Sequence, residues 1–201
     1  MENSMKSKIA RTTAILAGAG LMLSAAALFA MDNIAPFAPP SAQPPNDMEI
    51  TDPGRFLEAA NIINRTEIEM GRLANERGQS ASVRKLGKRM IHDHDILENK
   101  IKALAIPKDI VLSKVLDIRH QQMVDKLATY SGTAFDRYYV EDQGKCLQKA
   151  IALFQQAAAE NQDRSVRDFA ANSIPVLQQH LQLAEKDSKI VNEPPSVSPG
   201  Q

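Results

Sequence analysis

Apolar side chains recur at steps of three and four through five stretches between residues 52 and 186, and no stretch alternates with a period of two. A period near 3.6 turns one face of a helix toward a core, whereas a period of 2 marks a half-buried strand. The pattern predicts an all-α fold, an antiparallel bundle of four to five helices. Ala, Leu, Ile, Gln, Lys and Arg are abundant, aromatic residues make up 4% and Trp is absent. That is helix composition, and a sheet would call for more aromatic and β-branched residues.

The first helix is predicted to start at Asp52-Pro53, a good N-cap followed by a proline that suits the first turn. Its stripe is Phe56, Ala60, Ile63, Met70 and Ala74, and Gly78 stops it. The second carries Val83, Leu86, Met90, Leu97, Ile101 and Leu104 and ends at Pro107. The third is expected from about Ile110 to Tyr130 on Leu112, Leu116, Met123 and Leu127. The fourth should open with a capping box of Thr133 and Asp136 and bury Phe135, Tyr139, Gln143, Leu147, Ala150, Phe154 and Ala158. The fifth should be capped by Ser165 with Asp168 and bury Phe169, Ser173, Val176, His180 and Leu183. Pro175 inside it removes one backbone hydrogen bond and is expected to kink it. Short loops make successive helices antiparallel neighbours, with the third either packed on four main helices or a full member of five.

Glu67, His94 and His180 each replace an apolar residue on the inner stripe of a different helix. An unpaired carboxylate in a core costs several kcal/mol or takes up a proton. One solution is a hydrogen-bonded polar network. Another is a metal ion, divalent or redox-active, held by Glu67, His94 and His180 from facing helices. Met70 and Met90 lie near the same level and would suit copper, although stripe methionines are ordinarily core. His120 also sits on a stripe, but among solvated neighbours, and His92 belongs to a wet face. The Glu-x-x-His signature of di-iron bundles is absent, as are a phosphate loop, a nucleophile elbow and a His-Glu-x-x-His helix. Cys146 is the only cysteine and has no base beside it, so no catalytic constellation and no organic-cofactor site is read.

Outside the bundle, Lys6, Lys8 and Arg11 precede an uncharged run from Thr12 to Ala30 that ends in small residues. That is the layout of a secretory signal peptide. The rival is an uncleaved anchor, since residues 12–30 as helix would span about 28 Å against a hydrocarbon core of about 30 Å. Either reading exports the rest of the chain, to the periplasm or tethered to the inner membrane and facing it. Residues 31–50 contain five prolines and read as a linker, residues 51–188 as the bundle and residues 189–201 as a disordered tail. Lys+Arg and Asp+Glu each number 24, giving no net charge and no basic footprint for nucleic acid.

Four motifs occur in order along residues 52–186: FLEAANIINRTEIEMGRLA from Phe56, VRKLGKRMIHDHDILENKIKALA from Val83, YSGTAFDRYYV from Tyr130 and FAANSIPVLQQHLQLAEK from Phe169. Together they resemble the domain of unknown function 4142 family, exported proteins with a ferritin-like helical bundle. The matching positions include Glu67, the Asp93-His94 pair, and the Pro-Val-Leu-x-x-His run ending at His180. The chain departs from the family where members carry a second Asp-His pair in the fourth helix. Here those places hold Cys146 and Leu147, so any site using that histidine has lost a ligand.

Three functions follow as expectations. The first is a non-enzymatic module of the periplasm or cell envelope, acting in interaction or stress protection with a protein partner or a second copy of itself. The second is a metal-binding ferritin-like protein using Glu67, His94 and His180. The third is an envelope enzyme with His94 or His180 as general base, which requires an open pocket beside the histidine.

Overall fold

The structure, a computed structural model, describes residues 50–193. The expected signal or anchor segment, the linker up to residue 49 and the tail beyond residue 193 lie outside the described residues. Within them the chain forms α1 (Pro53–Arg77), α2 (Ala81–Ala105), a 3-10 turn (Ile106–Lys108), α3 (Ile118–Ala128), α4 (Gly132–Glu160) and α5 (Arg164–Asn192), with no strand among the described residues. The all-α expectation holds. The hairpins α1–α2 and α4–α5 pack most extensively, α2 lies on α5, α1 lies on α4, and the short α3 rests chiefly against α1. None of these helices is long and apolar enough to cross a membrane.

The helix starts are set by acids and hydroxyls that accept the first free N–H groups. Asp52 Oδ1 accepts from Arg55 N at 2.8 Å, with Pro53 in the first turn as expected. Ser80 Oγ accepts from Val83 N at 3.2 Å, and Gly78 closes α1. Two expected caps are replaced. Asp163, not Ser165 with Asp168, caps α5: its Oδ1 accepts from Val166 N at 3.1 Å, and Ser165 donates its hydroxyl to the same oxygen. Thr133 and Asp136 form no capping box. The Asp136 carboxylate instead crosses to the α1–α2 turn and accepts from Gln79 N and Ser80 N at 2.8 and 2.7 Å. Buried as it is, Asp136 serves the start of another helix rather than its own.

The third helix is shorter than the expected span of about Ile110 to Tyr130. Residues 109–117 form an irregular strap along α1. Glu58 accepts from Ser113 N at 3.0 Å, Asn61 donates to Ser113 O at 3.0 Å and Arg65 donates to Lys114 O at 2.7 Å. These side chains take the backbone groups that a helix would pair internally. Asp117 then caps α3 through His120 N. Leu112 and Leu116 half-bury beneath the strap, while Ile106, Val111, Val115 and Ile118 remain exposed. Two boundaries also move outward. Ile50 is buried and its carbonyl accepts from Asn161 Nδ2 at 2.8 Å, so the bundle begins inside the expected linker. At the other end α5 runs to Asn192 rather than 188, with Val191 packed against the core. It continues through Pro175, whose ring is exposed.

The core has an aromatic end, where Phe154 meets Phe56 and Phe169 at ring-centroid distances of 5.2 and 5.9 Å. Phe135 and Tyr139 stack near the other end. Between α1 and α2 the backbones approach closely. A Cβ on Gly87 would lie 2.6 Å from Gly71 O and 2.7 Å from Asn75 N. Gly144 on α4 faces open space. Alanine favours a helix interior over glycine by about 1 kcal/mol, whereas overpacking costs about 1–3 kcal/mol. Gly87→Ala is therefore expected to lower the urea midpoint and Gly144→Ala to raise it, measured side by side.

Candidate functional site

Helix α1 lays Asn64 and Glu67 on its inner face, one turn apart, and both are buried. Helix α2 presents Asp93 and His94, and α5 presents His180 opposite them. Asn64 bridges the first two helices twice. Its Nδ2 donates to the His94 carbonyl at 2.9 Å, and its Oδ1 lies 2.8 Å from His94 Nδ1. His180 Nε2 lies 2.8 Å from Asp93 Oδ2, which also accepts from Arg89 Nε. Arg89 reaches on to Gln179 Oε1 at 3.2 Å, so the pair is roofed by a crossing between α2 and α5. The two imidazoles are 5.2 Å apart between centroids, with planes tilted by 38°.

Glu67 goes elsewhere. Its Oε2 accepts from Gln143 Nε2 on α4 at 2.7 Å. The structure thus brings His94 and His180 together and pairs Glu67 with a glutamine. Among the described residues no group of three or more His, Cys, Asp or Glu side chains is placed to hold a metal ion. A cavity of about 10 Å³ beside His94 is lined by Asn64, Leu97, Ile101, Phe154 and Leu177 among others. That is room for about one water molecule.

Burial governs the protonation states. His94 is pushed down to about 3 by burial and then by the neighbouring His180, against the pull of Asp93. Burial also lowers His180, although its bond to Asp93 works the other way. Asp93 is opposed by its own burial, but the hydrogen bonds from Arg89 and His180 outweigh it and hold the carboxyl below its usual range. Glu67 is raised to about 7 by burial, with Gln143 pulling down and Asp142 pushing up. Around it lie groups equally averse to charge: the Tyr139 hydroxyl and the Cys146 thiol are both driven up, first by burial and then by Glu67. Cys146 is half-buried, with its Sγ 3.8 Å from Asp142 Oδ2, and its burial favours the neutral thiol.

Four buried atoms of this seam have no hydrogen-bond partner among the described residues: His94 Nε2, His180 Nδ1, Tyr139 Oη and Gln143 Oε1. Each such atom costs about 1–3 kcal/mol. For Gln143 the remedy is at hand, because a protonated Glu67 carries a donor that Oε1 can accept. His120 is bound to Asp117 at 2.8 Å and serves the start of α3, and His92 is exposed.

Sequence reasoning missed Asn64 and Arg89 as members of the site. Asn64 falls one residue from the expected stripe position Ile63, a drift a helical wheel does not resolve. Arg89 carried a signal, four residues before Asp93 on one helix face.

A raised folded-state pKa makes the Glu67 contribution to stability largest where the group is protonated in both states. It is fully present below about 4.5 and lost as pH rises toward about 7. Between those two pH values the loss is on the order of 3 kcal/mol. Glu67→Gln keeps the shape and abolishes the titration. It is expected to unfold at nearly the wild-type urea concentration at pH 4 and at a clearly higher one at pH 8. Equal midpoints at both pH values would mean that Glu67 is not buried as a carboxyl in this way.

No curated protein and no solved structure matches the chain. A family model does, over residues 37–186, and it is described as "Domain of unknown function (DUF4142)". The match covers the helices from α1 to most of α5, with every residue of the polar seam inside it. The chain belongs to the DUF4142 family.

Proposed function

We propose that this protein is an exported helical module of the cell envelope, acting by interaction or in stress protection rather than by turning over a substrate. One observation carries the non-enzymatic part. His94 and His180 are 1% and 0% exposed, and the cavity beside His94 is about 10 Å³. Small-molecule sites run to several hundred Å³, and a general base has to reach the proton it removes. The two histidines are instead tied to Asn64 and Asp93, where they hold helices together. Export is supported by the basic residues Lys6, Lys8 and Arg11 ahead of the uncharged run 12–30.

Fusing alkaline phosphatase or a green fluorescent protein after residue 193 tests the location. The expected result is an active phosphatase and a dark fluorophore, both reversed when residues 12–30 are deleted. A bright fluorophore on the full chain would overturn the export reading. The mass of the recovered N-terminus then tells cleavage after Ala27 or Ala30 from retention of the segment as a tether.

A further inference from the structure

Six large aliphatic side chains are exposed among the described residues, and four of them fall within one stretch of the chain. Ile106, Val111, Val115 and Ile118 are between 71% and 91% exposed, against 44% and 45% for Ile96 and Ile190. They belong to the 3-10 turn, the strap and the first turn of α3. The strap cannot roll over to hide them. Glu58, Asn61 and Arg65 of α1 hold the backbone of Ser113 and Lys114, and Ile110 and Leu112 already pack against the core on that side. Clustered aliphatic surface of this kind marks a place where something else binds.

The chain enters the bundle at the same end. Ile50 O accepts from Asn161 Nδ2, Lys108 pairs with Asp163 at 2.6 Å in the same loop, and a Cβ on Gly54 would lie 3.7 Å from Ile110. Residues 31–49, 19 in number, separate Ile50 from the uncharged run 12–30. A chain of that length spans about 25 Å as a coil and about 60 Å as a polyproline helix. The 25 residues of α1 extend about 38 Å. A bilayer that keeps residues 12–30 would therefore meet the strap end of the bundle before the far one. The composition of the stretch suits that surface. Residues 106–118 include no aromatic side chain, the type that anchors most contacts between proteins. Lys114 and Arg119 stand exposed beside the aliphatic groups and enter no ion pair among the described residues. Asp117 is occupied by the backbone and ring of His120, which leaves Asp109 as the opposing charge.

We propose that the strap side of the bundle, with Ile106, Val111, Val115 and Ile118, rests on the surface of a lipid bilayer that carries anionic headgroups. The four aliphatic side chains enter the boundary between headgroups and acyl chains, while Lys114 and Arg119 stay at headgroup level and meet the phosphates. Water at that depth serves the remaining backbone groups of the strap, so an irregular segment is tolerated there although it could not lie bare in hydrocarbon. Docking needs no change of fold, because the side chains that enter the lipid already point outward. Each aliphatic group alone binds weakly. The tether raises their effective concentration at the surface and makes the contact persistent. The inference deepens the envelope reading and rests on its tethered form.

The test uses the full chain reconstituted in vesicles of phosphatidylethanolamine and phosphatidylglycerol. In a Cys146→Ala background, an environment-sensitive dye is attached at Val111→Cys, at Val115→Cys or, as a control across the bundle on α5, at Gln182→Cys. All three positions are exposed, so the substitutions leave the core alone. Spin-labelled lipid should quench the dye at 111 and 115 but not at 182, and iodide in the water should quench only the dye at 182. Replacing Lys114 and Arg119 by Gln should lower the ratio of lipid-shielded to iodide-accessible dye by roughly 5-fold for each charge removed. Iodide quenching at 111 and 115 as strong as at 182, with none from the labelled lipid, would overturn the docking. Shielding from iodide without quenching by the lipid, rising with the number of chains per vesicle, would put a second copy on the strap and overturn it as well. The phosphatase fusion decides export separately. An active phosphatase with a wet strap sinks the docking alone, and an inactive one with a lipid-bound strap sinks the compartment alone.

Discussion

Three polar crossings hold the four long helices in register. Asn64 ties α1 to α2 through His94, Asp93 ties α2 to α5 through His180, and Glu67 ties α1 to α4 through Gln143. Apolar stripes alone would let helices slide by a turn at modest cost, because one Leu or Ala packs nearly as well as the next. A buried polar group cannot slide, since losing its partner costs about 1–3 kcal/mol. The crossings lie between the phenylalanine cluster at one end and the Phe135–Tyr139 stack at the other, so register is set from the middle outward.

The seam is also where the protein is least relaxed. It brings together a carboxyl that resists ionisation, two neutral imidazoles and several atoms without partners among the described residues. An apolar core of the same shape would be free of these costs. The expense is concentrated on a few residues from each of the four helices, which is how a site differs from a scattering of imperfect contacts.

Much of this was legible in the sequence. The 3.6 period gave the helices, because burying one face of each leaves a stripe behind. Glu67, His94 and His180 stood out because each interrupts such a stripe, and all three are buried. Gln143 was read on the fourth stripe, but which group each of the three would meet was not legible. Asn64 and Asp93 lie beside the stripes, and nothing in one helix says which group of another it will meet. The strap at residues 109–117 was misread as helix because Leu112, Leu116, Met123 and Leu127 keep helical spacing. Its backbone is claimed by Glu58, Asn61 and Arg65 some 50 residues earlier, which is tertiary information. The caps failed for a related reason, since Thr133-x-x-Asp136 fits a local rule while Asp136 answers a distant demand.

That distant demand ties together the two halves of the chain. The N–H groups of Gln79 and Ser80, at the turn of the first hairpin, find their acceptor on a residue 57 and 56 positions later, in α4. Until the second hairpin docks, those groups have only water, and α2 begins without part of its cap. The first hairpin therefore does not complete itself as the ribosome releases it. In hydrogen exchange, these two amides would report the parting of the hairpins rather than fraying of the turn that contains them.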